Sequence, residues 1–166
     1  MTDARDDRAA GYGVCFVCTG NICRSPMAEA VLRARLVEEG LADRVRVASA
    51  GTGGWHADEP ADPRATAALR AAGYDVAPED HVARRFEPAW FARYDLVVAL
   101  DRGHARALRR LAPTPAAAAR VRLLRADGLD VPDPYYGDDG DFAECLNIIE
   151  DAVPGLLDAI RQEATA

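Results

Sequence analysis

The sequence predicts an α/β fold of three layers, in which a central parallel sheet of four strands is flanked by helices. Two observations lead to this prediction. Short apolar runs alternate along the chain with segments whose apolar residues show helical spacing, and this alternation is typical of parallel sheets with helical crossovers. The length of 166 residues fits one domain. We therefore expect residues 13–166 to form a single domain, preceded by a mobile leader over residues 1–12.

The first predicted strand is Val14–Val17, a β-prone run that ends at Cys18. After a turn, a helix is predicted from Ser25-Pro26, because proline is favoured in the first helical turn. Gly40 is expected to end this helix. Its apolar residues follow helical spacing: Met27, Val31, Leu32 and Leu36. The chain therefore begins as strand, loop and helix.

The middle of the chain repeats this pattern. Val45–Ser49 is predicted as the second strand, and Asp62-Pro63 begins a helix through an N-cap aspartate and a proline at the first helical position. Gly73 ends it. Leu96–Leu100 is a continuous apolar run, which is typical of a buried central strand, and residues 102–111 are predicted to be helical.

The last part of the chain supplies the remaining strand and helix. Pro113–Ala119 is predicted as a loop, and Val121–Leu124 as the fourth strand. A final helix is predicted from Asp141 to about Glu163, and Pro154 is expected to kink it or split it in two. Ligands of such sheets bind at the carboxyl ends of the strands. Cys18 lies at such an end.

Composition excludes several classes of partner. The net charge is −7, with acidic residues spread along the chain and all 20 basic residues arginine, so we expect no nucleic acid and no membrane surface as partner. The longest apolar run, near Leu96–Leu100, is far too short to cross a bilayer, and residues 1–12 lack a signal-peptide core. We expect a cytoplasmic protein and a monomer.

Three of the four cysteines, Cys15, Cys18 and Cys23, lie within nine residues. Without an extracellular context this pattern favours thiol chemistry over a disulfide framework. Zinc would need a second ligand pair, and the histidines are scattered singly: His56, His81 and His104. No metal is expected. Cys15 and Cys145 are predicted to be core residues.

The segment from Cys18 to Ser25 combines three devices that bind phosphate. Loop N–H groups and the positive end of the following helix favour a dianion, and Arg24 adds a planar fork for two of its oxygens. The same field favours the thiolate of Cys18. Gly20 and Asn21 tolerate the left-handed backbone that such a loop needs, and Ser25 can donate its hydroxyl to the thiolate.

A thiolate that attacks phosphorus needs an acid to protonate the departing oxygen. Asp133 is the predicted acid, since it lies in a loop stiffened by Pro132 and Pro134. Tyr135 and Tyr136 follow directly, and their rings can flank an aryl phosphate. Asp101 is interpreted as an ordinary acid at a strand end, unless it lies near Cys18.

The stretch Val17–Glu29 resembles the signature of the low-molecular-weight protein tyrosine phosphatase family, and Asp133–Tyr136 resembles that family's acid loop. Further similarity covers nearly everything from Val14 to the last helix, in the segments Ser49–Thr52, Trp55-His56, His81–Arg84 and Leu100-Asp101. The residues Arg102–His104 resemble the actinobacterial branch. The chain departs from the pattern in a short stretch between Leu124 and Asp133, and at Gly140, where a hydroxyl residue is expected.

The resemblance implies a single phosphatase domain that hydrolyses phosphotyrosine in proteins, without cofactor or metal. It implies that Cys18 forms a phosphocysteine, that Arg24 holds the phosphoryl oxygens, and that Asp133 protonates the leaving tyrosine. Other roles follow from the same resemblance: phosphate binding by Thr19, Gly20, Asn21, Ile22, Cys23 and Ser25, a cleft formed by Trp55, Tyr135 and Tyr136, loop support by Asn21, Ser49 and His81, and reversible pairing of Cys23 with Cys18.

Two alternatives use the same residues. An arsenate reductase on this scaffold would also need Cys18 and Arg24, but it requires further thiols in a mobile segment, and only Cys145 lies downstream. A phosphotyrosine-binding module without turnover would result if Asp133 did not reach the leaving oxygen.

Overall fold

The computed structural model describes residues 11–164. The predicted leader lies outside the described residues except for its last two, Gly11 and Tyr12. The first strand, β1, spans Tyr12–Cys18 and so begins two residues earlier than predicted. Among the described residues, no helix is both long and apolar enough to cross a membrane.

The predicted four-stranded parallel sheet is confirmed. The strands β2 (Val45–Gly51), β3 (Leu96–Ala99) and β4 (Val121–Leu123) join β1 in the order β2-β1-β3-β4. All pairs are parallel, and Cys18 pairs with Gly51 at one end of β1. The carboxyl ends of β1, β2 and β3 therefore meet at one edge of the sheet, which is where the loops that follow them come together.

Within residues 11–164, five α-helices accompany the sheet. They are α1 (Arg24–Glu38), α2 (Pro63–Ala71), α3 (Arg102–Leu111), α4 (Pro115–Ala118) and α5 (Asp139–Ala164). Asp62 caps α2 as predicted, since it accepts from the Arg64 N–H. Asp101 caps α3 by accepting from the His104 N–H, a role that was not predicted. Two short 3₁₀ helices, Pro78–Asp80 and Pro88–Ala92, complete the chain between α2 and β3.

Side chains of β1 alternate between two apolar clusters on opposite faces of the sheet. Phe16 and Cys18 pack in the cluster that contains residues of α1 and α5. Cys15 and Val17 pack in the other cluster, with residues of α3. Both faces of β1 are therefore buried, and Cys15 and Cys145 are core residues as predicted.

One prediction about the second half of the chain was wrong, and another is narrowed. Pro113–Ala119 is not simply a loop, because Thr114 accepts from the Ala117 N–H at 3.1 Å and caps α4. Of the two outcomes expected at Pro154, a kink or a split, the split does not occur, because the last helix runs as one element from Asp139 to Ala164. The flanking residues of α5 are buried in the core, and this burial outweighs the single backbone bond that a proline removes.

Candidate active site

The loop between β1 and α1 folds around Cys18, the last residue of β1, which is only 3% exposed. Asn21 adopts the left-handed backbone that was predicted, with φ of 59°. Gly20 does not adopt positive φ, contrary to the expectation. Its small size matters instead, because a Cβ at Gly20 would lie 2.8 Å from Cδ2 of His56.

The Cys18 thiol has a polar partner inside the loop. Its Sγ lies 3.0 Å from the Ser25 Oγ. Asn21 Nδ2 donates to that Oγ at 2.8 Å and to the Ser49 Oγ at 3.0 Å. Because the Ser25 oxygen accepts from Asn21, its own proton is available for the sulfur. This arrangement suits a hydroxyl that stabilises a thiolate.

Asn21 is fully buried and connects the loop to the rest of the domain. Its Oδ1 accepts from the Arg84 N–H at 2.9 Å, and its backbone carbonyl lies 2.6 Å from His81 Nε2. Since a carbonyl can only accept, Nε2 of His81 carries the proton in this contact. Burial lowers the pKa of His81 from its ordinary value. Ser49 and His81, the two predicted support residues outside the loop, thus both contact Asn21.

Arg24 is buried and is held by Asp101, which follows β3, and by Val131 in the loop before α5. Its Nη1 donates to Asp101 Oδ2 at 3.0 Å and to the carbonyl of Val131 at 2.9 Å. Its Nη2 lies 3.4 Å from Thr19 Oγ1 and 3.7 Å from Asp133 Oδ2. One edge of the guanidinium is therefore fixed by the protein, while the other lies beside Asp133 in the cavity described below.

His104 is a buried member of the site that the sequence interpretation missed. Its Nε2 lies 2.8 Å from Thr19 Oγ1, and its Nδ1 lies 3.3 Å from Asp101 Oδ1. Burial, together with the positive charge of Arg24, lowers the pKa of His104 to about 4, so the ring is neutral at pH 7. Asp101 follows β3 closely, and His104 lies in the first turn of α3. Their place after the carboxyl end of a predicted strand was the available signal.

The predicted acid, Asp133, lies in the loop before α5. Its Oδ1 accepts from the Tyr135 N–H at 3.1 Å, and its side chain is 43% exposed. The Val131 N–H donates to the Leu100 carbonyl at 2.9 Å and ties the start of this loop to the end of β3. The acid loop is thus anchored to the sheet.

A cavity of about 240 Å³ opens above the Cys18 loop. It brings together most of the predicted site residues: Cys18, Thr19, Gly20, Ile22, Cys23, Arg24, Trp55, Asp133, Tyr135 and Tyr136, with His56 in addition. The Tyr135 and Tyr136 rings meet edge to face, with centroids 4.9 Å apart. Trp55 and Tyr136 are largely exposed. Asn21, Ser25, Ser49 and His81 are outside the cavity lining.

The other three thiols are buried. All four cysteines are free. Burial raises the pKa of Cys15 and of Cys23, and it raises the pKa of Cys145 to about 12. Cys145 lies in α5, in the core and not in a mobile segment, which disfavours the arsenate reductase alternative. Within residues 11–164 no group of three candidate ligands is arranged to hold a metal ion.

Comparison with known proteins adds to this geometry. A family model for low molecular weight phosphotyrosine protein phosphatase matches residues 13–166. The low molecular weight protein-tyrosine-phosphatase of Streptomyces coelicolor is 60% identical over 159 residues, which cover 92% of this chain and 95% of that protein. This relative agrees with the predicted resemblance to the actinobacterial branch.

Solved structures give the same result. The protein tyrosine phosphatase of Entamoeba histolytica, with Hepes in its active site, matches with a TM-score of 0.85 and 30% identity, covering 92% of this chain and 98% of that one. Wzb of Vibrio vulnificus, in complex with benzylphosphonate, matches with a TM-score of 0.78 and 29% identity, covering 89% and 98%. On the family model and these relatives, the chain belongs to the low molecular weight phosphotyrosine protein phosphatase family.

Proposed function

We propose that this protein hydrolyses phosphotyrosine monoesters in two steps through a phosphocysteine on Cys18. In the first step the Cys18 thiolate attacks phosphorus, and the bond between phosphorus and the tyrosine oxygen breaks. Asp133 gives its proton to that oxygen. Arg24 and the loop N–H groups hold the nonbridging oxygens, whose charge they match.

In the second step water attacks the phosphocysteine, and Asp133, now a carboxylate, accepts a proton from that water. The sulfur–phosphorus bond breaks, inorganic phosphate leaves and the thiolate is restored. The Ser25 hydroxyl, 3.0 Å from the sulfur, stabilises the thiolate both before attack and as the leaving group. Asp133 gives a proton in the first step and regains one in the second, and Cys18 returns to its thiolate form. The protons therefore balance without a cofactor.

The observation that carries this proposal is the placement of Cys18, Arg24 and Asp133 around one cavity. Cys18 ends β1, Arg24 begins α1 and Asp133 lies far along the chain, in the loop before α5. Asp133 nevertheless lies 3.7 Å from the Arg24 guanidinium. General acid catalysis at the leaving oxygen requires such proximity to the phosphate site. A binding module would need the Cys18 loop but not the acid.

Aromatic side chains at the rim favour an aryl phosphate over an alkyl one. Trp55, Tyr135 and Tyr136 line the cavity, and Tyr136 is 92% exposed, so the rim lies open to a phosphotyrosine that projects from a protein surface. The related Wzb structure holds benzylphosphonate, which carries a phosphonate beside an aromatic ring. We extend the same ligand class to this cavity, in a monomer that acts on cytoplasmic phosphoproteins.

The test is hydrolysis of para-nitrophenyl phosphate and of a phosphotyrosine peptide by wild type and Cys18→Ser, with reductant and a chelator present. We expect wild-type turnover of both substrates and none in the variant. Acid-quenched wild type incubated with labelled substrate should retain label on the protein, whereas Cys18→Ser should not. A wild type that binds the peptide without turnover would replace this proposal with the binding module.

A further inference from the structure

Arg64 connects the Cys18 loop to the acid loop, although it lies outside the cavity lining. Its link to the Cys18 loop passes through Asp62. The backbone N–H of Asp62 donates to the carbonyl of Ile22, in the Cys18 loop, at 2.8 Å. The Asp62 carboxylate accepts from Arg64 Nε at 3.1 Å and from Nη2 at 2.9 Å. The guanidinium is therefore fixed relative to the Cys18 loop.

Arg64 also holds the acid loop, by its backbone. Its Nη2 donates to the carbonyl of Tyr135 at 3.0 Å, and its Nη1 donates to the carbonyl of Gly137 at 3.1 Å. The guanidinium also lies over the ring of Phe142, 4.5 Å from the centroid, in the first part of α5. These contacts cover the acid loop on the side that leads into α5.

Tyr135 extends this connection to the catalytic carboxyl. Its N–H donates to Asp133 Oδ1 at 3.1 Å, so the residue whose carbonyl Arg64 holds is also the residue that orients Asp133. A second residue beside Asp133 is Arg24, whose Nη2 lies 3.7 Å from Asp133 Oδ2. A half-exposed carboxyl in a loop needs such fixed contacts to stay within reach of the leaving oxygen.

The capping role of this segment does not explain the arginine. Asp62 caps α2 through the backbone N–H of Arg64 at 2.9 Å, and any residue except proline has that donor. The side chain instead divides its donors among one carboxylate and two carbonyls. A planar fork with five donors suits this division, whereas a lysine ammonium does not span it.

We propose that Arg64 is a positioning residue for the general acid, holding Asp133 over the Cys18 loop through the backbone of Tyr135 and Gly137. This inference rests on the proposed function of Asp133. It requires that Arg64 affect the steps in which Asp133 transfers a proton, and in kcat/KM this step is the protonation of the leaving group. A residue that merely stabilises the packing of α2 against α5 would affect all substrates alike.

The test compares kcat/KM for two aryl phosphates that differ in leaving group. Phenol resembles tyrosine, with a pKa of about 10, and leaves poorly without a proton. The far more acidic 2,4-dinitrophenol leaves without one. For Arg64→Met we expect kcat/KM on phenyl phosphate to fall roughly 10-fold to 100-fold, and kcat/KM on 2,4-dinitrophenyl phosphate to stay within about twofold.

A double-mutant cycle identifies the residue through which Arg64 acts. In the Asp133→Asn background, Arg64→Met should have no further effect on phenyl phosphate, because the acid to be positioned is already absent. Arg64→Lys should recover only part of the rate. Arg70→Met is the matched control, since Arg70 lies on the same helix and donates to the carbonyl of Val76, away from the acid loop.

The outcomes separate this inference from the proposed function. Equal losses on both substrates, or additive effects in the cycle, would make Arg64 a structural residue only and overturn the inference while leaving Asp133 as the acid. If Asp133→Asn itself retained the wild-type rate on phenyl phosphate, the assignment of Asp133 would fail, and the role of Arg64 would fail with it.

Discussion

The orientation of Arg24 depends on Asp101. Arg24 is 4% exposed, and an arginine at such depth needs a partner that balances its charge. Asp101 supplies the carboxylate at 3.0 Å and also accepts from the His104 N–H at 2.8 Å. One carboxylate therefore fixes both Arg24, the proposed phosphate-binding arginine, and the start of α3.

Asp101→Asn tests this dependence. We expect kcat/KM for a phosphotyrosine peptide to fall roughly 10-fold or more, because the guanidinium loses its charged anchor and its preferred orientation. Inorganic phosphate should inhibit the variant at least as strongly as the wild type, since the Asp101 carboxylate no longer balances the positive charge of Arg24. Asp130→Asn is the control, because Asp130 pairs with Arg102 at 3.2 Å, outside the cavity lining. Unchanged turnover in Asp101→Asn would remove it from the site.

Sequence reasoning is strongest for residues that lie next to one another in the chain. Cys18 and Arg24 are tied to one short loop, so their spacing alone predicts a shared phosphate site. Asp101 and His104 reach that loop only because β3 lies beside β1, and strand order is not encoded in local spacing. Arg64 was missed for a similar reason, since its partners in the acid loop lie far along the chain.

The last helix shows how packing overrides local preference. Pro154 is exposed, yet α5 continues through it without a break. The proline lacks the N–H that would bond to the carbonyl of Glu150. Local rules therefore predicted a kink or a break, and the buried residues on either side, such as Val153 and Leu157, keep the helix in one piece.

Pro154→Ala should stabilise the protein. The alanine restores the missing backbone donor and has the best helix propensity, and the gain in the free energy of unfolding should be about 1–2 kcal/mol after allowing for the more flexible unfolded chain. The midpoint of urea denaturation measures it. Pro63→Ala at the first position of α2, where the N–H is not needed, should give no gain. A destabilised Pro154→Ala would show that the proline ring itself contributes.

The four strands were predicted from apolar runs because their interiors are buried on both faces, and buried runs leave a clear pattern. The short helix α4 left no such pattern. Its existence depends on the Thr114 cap and on Pro115 at its first position, signals that are weak in an alanine-rich segment of seven residues. Element ends shifted by only one or two residues elsewhere, as with β3, which ends at Ala99.

At the scale of the whole molecule, the buried His104 makes folding stability depend on pH. His104 has a folded-state pKa of about 4, below the ordinary value of 6.5, chiefly because of burial. The unfolded chain therefore binds more protons between these values. Stability contributed by neutral His104 is fully present above about pH 6.5 and is lost as pH falls toward 4. Burial lowers the pKa of His81 in the same direction.

His104→Asn should flatten this dependence. Between pH 6.5 and pH 4 the wild type should lose up to about 3 kcal/mol more of its unfolding free energy than the variant. Urea denaturation at a series of pH values measures both curves. If the difference between wild type and His104→Asn stayed constant over this range, the imidazole would not be the group responsible.

The order of the strands has a consequence for the timing of synthesis. Val14 pairs with Leu96 across the centre of the sheet, so β1 gains its second neighbour only after more than half of the chain has left the ribosome. A nascent chain carries the complete Cys18–Arg24 segment early, but it still lacks Asp101, which anchors Arg24, and Asp133, the proposed acid. The proposed nucleophile is therefore synthesised first and gains these partners only late in synthesis.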